Sequence, residues 1–143
     1  MCVKQVSIIL ENVPGMFLSV SECLARESIN IRAISVADTS NTSTVRFVTD
    51  NPEKTVNVLR SNGYEVIEND VLGVEIPDHP GALRAVLKPL KDSHINVLYF
   101  YTYLGRGESG QPIVIIGVDK TEEAVAALKQ NWVHTFGNEI YAL

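Results

Sequence analysis

Cysteine is scarce in this sequence, with Cys2 and Cys23 alone, too few for the disulfide framework that holds small secreted domains together. Cys2 stands at the start and Cys23 falls inside a helical pattern, where it reads as a small core hydrophobe. His79, His94 and His134 share no ligand spacing with either cysteine, so no metal site is expected. Basic residues are short as well: 12 Lys and Arg face 17 Asp and Glu, for a net charge of -5. Phosphate binding draws on clustered Lys and Arg, so nucleic acid is not an expected partner. No hydrophobic run approaches a membrane span, and Met1–Gln5 leads directly into a strand-like run without the features of a signal peptide. The expectation is a cytoplasmic protein with no membrane partner. Tracts rich in Ser, Gln or like charge are absent too, so the whole chain is expected to be ordered.

Also missing are the motifs of a free-standing enzyme. There is no Ser/His/Asp set, no HExxH and no phosphate-binding loop ending Gly-Lys-Ser/Thr. The turn Asn12–Gly15 lacks the Arg that acylphosphatase-like chemistry would require. Neither catalysis nor a cofactor is expected.

What the sequence does contain is an internal repeat, over a chain that is 45% hydrophobic and can bury a core. Pro14-Gly15 returns as Pro80-Gly81, and at the same shift Phe17 meets Leu83, Val20 meets Val86, Leu24 meets Leu90, and Ile29-Asn30-Ile31 meets Ile95-Asn96-Val97. Farther along the shift grows by three, pairing Asp50 with Asp119, Val56 with Val125 and Leu59 with Leu128. That places a short insertion in the Gly-rich stretch Gly105–Pro112, as suits a loop. The halves divide near Asn69-Asp70, giving domains 1–69 and 70–143.

Each half reads as strand, helix, strand, strand, helix, strand. Val6, Ile8 and Leu10 alternate as a half-buried strand does, and so do Leu72, Val74 and Ile76. Phe17, Val20 and Leu24 form one helical stripe, and Leu83, Val86, Leu87 and Leu90 form its counterpart. Second strands are expected over Ile31–Asp38 and Val97–Leu104, third strands over Thr44–Thr49 and Ile113–Val118, and closing strands near Glu65–Ile67 and Thr135–Tyr141. The fold class is therefore α+β, two ferredoxin-like βαββαβ units with antiparallel sheets and both helices of each unit on one face.

Chemistry concentrates where the first strand gives way to the first helix, at Glu11-Asn12-Val13-Pro14-Gly15-Met16-Phe17 and Ile76-Pro77-Asp78-His79-Pro80-Gly81-Ala82-Leu83. A helix start leaves N–H groups unpaired and carries about half a positive charge, which suits a carboxylate. Asn12 and Asp78 are cap-type side chains, and Pro followed by Gly permits a tight turn. Asn30 and Asn96 stand where each second strand begins. Donors for a carboxylate and acceptors for an ammonium together match the two ends of a free amino acid. One such copy alone could be simply a well-made helix start; two copies weigh toward a site.

These segments, Glu-Asn-Val-Pro-Gly-Met-Phe with Ile-Asn-Ile and Pro-Asp-His-Pro-Gly-Ala-Leu with Ile-Asn-Val, resemble the signature of ACT domains over essentially the whole chain, twice. The resemblance implies a stand-alone regulatory protein that holds an amino acid at the seam between ACT units, against one unit's Pro-Gly loop and the partner unit's second strand. It implies polar anchors at Asn12 and Asp78, backbone donors over Gly15, Met16 and Phe17 and over Gly81, Ala82 and Leu83, and flanking amides at Asn30 and Asn96 beside Ile31 and Val97. Val13, Pro14, His79 and Pro80 complete the two loops. Some amino-acid-binding relatives carry His two residues before the loop Asn, where this chain has Leu10 and Ile76. The partners implied are a free amino acid and a metabolic enzyme. An alternative is a protein–protein interaction module with vestigial sites.

One surface expectation comes from the residues themselves. Tyr99, Tyr101 and Tyr103 share a face of the second strand of the second half, while the matching Ala33 and Ser35, with Ala37 beyond, are small. Aromatic sheet faces can stack bases, but the acidic charge and an edge position argue against that use. With the run Ile113–Ile116 apolar on both faces, the stripe is expected to be covered by protein, and a homodimer interface at Tyr99, Tyr101, Tyr103, Ala33 and Ser35 is favoured over cover within the chain.

Overall fold

A computed structural model describes residues 2–143. The elements run β1 (Val3–Glu11), α1 (Met16–Arg26), β2 (Ile31–Thr39), β3 (Thr42–Thr49), α2 (Pro52–Ser61), β4 (Val66–Glu75), α3 (Ala82–Asp92), β5 (Val97–Arg106), β6 (Pro112–Val118), α4 (Thr121–Gln130) and a 3-10 helix (Asn138–Ala142). The chain divides into two units, Lys4–Asn69 and Asp70–Leu143, the latter also taking in residues 2–3.

In the first unit β3 lies between β1 and β2, antiparallel to both, with Ile8 opposite Val45 and Ile34 opposite Phe47. Alternation puts Val6, Ile8, Leu10, Val45 and Phe47 on the face that receives Val20, Cys23 and Leu24 of α1 and Val56 and Leu59 of α2. Cys23 is thus a core residue. Asn51 caps α2 through its side chain, which accepts the Lys54 N–H at 3.1 Å, and Pro52 follows where no N–H is needed. The second unit repeats the plan with β6 between β4 and β5. Its core joins Leu72, Val74, Val114 and Ile116 to Val86, Leu90, Ala124 and Leu128. The insertion forms the β5–β6 turn, where Gly110 (φ 80°) donates its N–H to the Gly107 carbonyl at 2.8 Å.

Three expectations need correction. First, the closing strand of the first half and the opening strand of the second are one uninterrupted strand, β4. No Gly or Pro stands between Val66 and Leu72 to break it. Second, the last segment is not a strand over Thr135–Tyr141. It makes a single bridge, Thr135 to Val74, flanked by Glu75 N–H to His134 O at 3.2 Å and Phe136 N–H to Gly73 O at 2.8 Å. Gly137 then turns it into the 3-10 helix, where its N–H donates to Glu139 Oε1 at 3.0 Å and holds that carboxyl below its ordinary value. Gly73 makes room for this ending, since a β-carbon there would stand 2.7 Å from Ile140 Cδ1. Third, Phe17 is not core: it is 44% exposed, while Val20 and Leu24 of the same stripe are buried. At the start of α1 it is Met16, the residue before Phe17, that packs against the core.

Candidate functional site

The two Pro-Gly turns have the same backbone geometry. Gly15 (φ 88°) and Gly81 (φ 82°) occupy the left-handed region that any β-carbon would crowd, and each is the residue from which its helix starts. In the first turn the Val13 N–H reaches the Glu11 carbonyl at 3.0 Å and Met16 N–H reaches Val13 O at 3.4 Å. In the second, His79 N–H reaches Pro77 O at 3.1 Å and Ala82 N–H reaches His79 O at 3.2 Å. No side chain caps α1 or α3. Asn12 and Asp78 are therefore not caps, because they stand three residues before Gly15 and Gly81, the residues in the cap position, and the Met16 and Ala82 N–H groups are used inside the turns.

The two anchors differ. Asn12 Nδ2 donates to Asp38 Oδ1 at 2.9 Å, and its N–H donates to Asn41 O at 3.0 Å, tying the first turn to the end of the β2–β3 hairpin. Asp78 is exposed, next to His79, whose Nδ1 lies 2.9 Å from the carbonyl of Pro80. Around the first turn Val13, Phe17 and Leu18 are exposed although large and apolar; around the second, Leu83 is half-buried and Arg84 exposed.

Asn30 and Asn96 do not join these turns within their own units. Each precedes its second strand, while the turns stand near the other end of it, where Asp38 meets Asn12. Seven residues of strand at about 3.3 Å each separate the two places. The backbone at both positions has a different use: Asn30 N–H donates to Asp50 Oδ1 at 3.0 Å and Asn30 O accepts from Asp50 N–H at 3.0 Å, and Asn96 pairs with Asp119 likewise at 3.0 and 3.2 Å. Ile31 and Val97 that follow are half-buried and pack on the two cores. Asp38 is the residue that sequence reasoning missed, since nothing in a single chain links positions 12 and 38.

The tyrosine stripe is also not an outward surface. Tyr101 (9% exposed) and Tyr103 (6%) are buried, and Ala33 is fully buried. Tyr103 donates its hydroxyl to the Ile140 carbonyl at 2.5 Å, so part of the cover comes from the 3-10 helix. The reason lies in the pleat: Leu98, Phe100 and Leu104, on the opposite face of β5, are the exposed apolar residues of that strand, as are Ile34 and Val36 on β2. Ile113 to Ile116 are all buried. Among the described residues no cluster of His, Cys, Asp or Glu could hold a metal, and no helix is long and apolar enough to cross a membrane.

Solved structures with this arrangement are known. A crystal structure of a protein from Bacteroides thetaiotaomicron matches at 30% identity with a TM-score of 0.91, covering 100% of this chain and 98% of that one. The ligand-free regulatory subunit of aspartate kinase from Thermus thermophilus shares the fold at 17% identity and a TM-score of 0.64, with 90% and 92% covered. Its counterpart from Thermus flavus does so at 19% and 0.61, over the same shares. No curated protein matches the sequence. The model of the ACT domain pair matches residues 1–139, and with the repeated strand order and the twin Pro-Gly turns this places the chain in the ACT family, as a pair of ACT domains.

Proposed function

We propose that this ACT pair is a regulatory amino-acid sensor rather than an enzyme, binding a free α-amino acid at its Pro-Gly turns and passing the signal to an enzyme of amino-acid metabolism. The observation that carries this reading is that α1 and α3 both start, uncapped, from a left-handed glycine. Free first-turn N–H groups and the helix dipole favour the ligand carboxylate, and the Asp78 carboxylate or the Asn12 carbonyl oxygen suits its ammonium. Exposed Val13 and Phe17 offer apolar surface for a side chain beside the first turn. The Thermus proteins of the same fold are regulatory subunits of aspartate kinase, which supports a regulatory role. The chain acts as a homodimer in this reading, with the exposed Leu98, Phe100 and Leu104 as contact residues in place of the tyrosines.

Asp78 gives the cleaner test, because Asn12 also holds Asp38. Calorimetry with each of the twenty amino acids is expected to find at least one that binds, and at one hundred times its Kd to raise stability by about 2.7 kcal/mol. Asp78→Ala is expected to weaken that ligand by about 1.5–3 kcal/mol with the melting temperature of the free protein unchanged. Absence of binding by all twenty at millimolar concentration sinks the proposal and leaves a protein–protein interaction module.

A further inference from the structure

The ends of α2 and α4 are built alike. Asn62 and Asn131 each donate a side-chain N–H to the carbonyl four residues back at 2.8 Å. Tyr64 and Val133 each donate a backbone N–H to the carbonyl five residues back, at 3.1 and 3.0 Å. Between them stands a left-handed residue, Gly63 (φ 87°) in the first unit and Trp132 (φ 61°) in the second. Glycine is the usual occupant of that position because a β-carbon crowds it. Trp132 is the sole tryptophan of the chain, and it is 96% exposed.

The neighbouring positions differ in volume. In the first unit Met16 and Tyr64 pack against the core. Their counterparts in the second unit are Ala82 and Val133, smaller by several heavy atoms. The second unit has a hollow of about 320 Å³ whose lining includes Ala82, Val133 and Trp132 together with Glu75, Gln111 and His134. That volume falls in the range of about 300–1,000 Å³ usual for ligand cavities. The described residues lining it include no Lys or Arg. Glu75 is oriented by a hydrogen bond from the Ser109 hydroxyl.

We infer that this hollow, walled in part by Ala82 and Val133, binds a small organic cation, an amine on a compact apolar body. The carboxylate of Glu75 pairs with the ammonium, the indole of Trp132 adds the attraction of an aromatic face for a cation, and the alanine and valine walls take the apolar part. The Glu75 carboxylate repels an anion there, and the described lining offers no Lys or Arg to hold one. The site lies beside the Pro-Gly turn, through Ala82, but the inference does not rest on amino-acid binding there.

Trp132 is its own reporter. The full chain is titrated with 2-phenylethylamine, and with 2-phenylethanol and 3-phenylpropionate as neutral and anionic counterparts, following tryptophan emission. A saturable change with the amine alone is expected. Glu75→Gln is expected to weaken it about tenfold or more. The double variant Ala82→Met, Val133→Tyr, which installs the first unit's residues, is expected to abolish it. The inference is overturned by no saturable change up to about 10 mM amine, a millimolar Kd being only about 4 kcal/mol of binding. Equal binding of the alcohol or the acid, or wild-type binding by the double variant with its circular dichroism intact, overturns it as well. Should the double variant fail to fold, Glu75→Gln decides, with unchanged affinity counting against the site.

Discussion

On the second strand of each unit, the same lattice point carries opposite choices. In the first unit Ala33 faces Val48 across the β2–β3 pair; in the second, Tyr99 faces Gly117 across β5–β6. Both are small-with-larger pairs, but the bulk has moved to the other strand and grown to an aromatic ring, which lies over the glycine so closely that a β-carbon at 117 would fall within it. The replacement continues along the strand, Ser35 to Tyr101 and Ala37 to Tyr103. The face of the first sheet away from its helices instead holds polar groups such as Gln5 and Ser7, joined by a 3.4 Å hydrogen bond. A shared backbone plan thus tolerates two unrelated ways of filling one face, because packing constrains the sum of volumes at a contact rather than each residue.

The sharpest way to break the comparison is to import one residue without its partner. Gly117→Val is expected to destabilise the protein by about 3 kcal/mol through overpacking against Tyr99. Adding Tyr99→Ala, which completes the first unit's pair, is expected to recover most of that loss. Urea unfolding of the two single variants and the double variant measures the coupling, and additivity would mean that the two positions do not share a volume. A smaller effect is expected at Tyr103, whose counterpart Ala37 has no hydroxyl. Tyr103→Phe leaves the Ile140 carbonyl without its donor and is expected to cost about 1.5 kcal/mol by the same measurement. Smallest is the exchange at the helix ends. Trp132→Gly, the first unit's choice, is expected to stabilise the free protein by about 1 kcal/mol by relieving the left-handed backbone. A thermal midpoint that falls instead would show that the indole contributes packing worth more than the strain.

Much of this was legible beforehand. The repeat, the four helices and the apolar stripes of Val20, Leu24, Val86 and Leu90 follow from spacing, since periodicity reports which face is buried. What periodicity does not report is what lies beyond the end of an element. Phe17 shares the stripe of Val20 and Leu24 but is left exposed, while Met16 beside it packs against the core. Asn12 has the chemistry of a helix cap, yet its hydrogen bond goes to Asp38, a contact between positions 26 residues apart. Alternation puts the tyrosines on one face and predicts a cover of protein, but it does not say which: a second copy is the expectation, whereas Tyr101 and Tyr103 are buried within the chain. The hollow beside Ala82 needed the fold for a related reason: the repeat pairs Met16 with Ala82 and Tyr64 with Val133, but positions 82 and 133 are 51 residues apart and only the fold brings them to one hollow.

The paired contacts of Asn30 with Asp50 and of Asn96 with Asp119 bear on the order in which the chain assembles. Each closes the open end of a hairpin, β2–β3 or β5–β6, over 20 or 23 residues of sequence. The outer strands join later in the chain's own geometry: Val6 meets Phe47, and Leu72 meets Ile116, across intervals about twice as long. Closing the shorter loop sacrifices less chain entropy. Such staples favour nucleation at the two hairpins, with β1 and β4 arriving on sheets already begun, so that each half condenses from its middle outward.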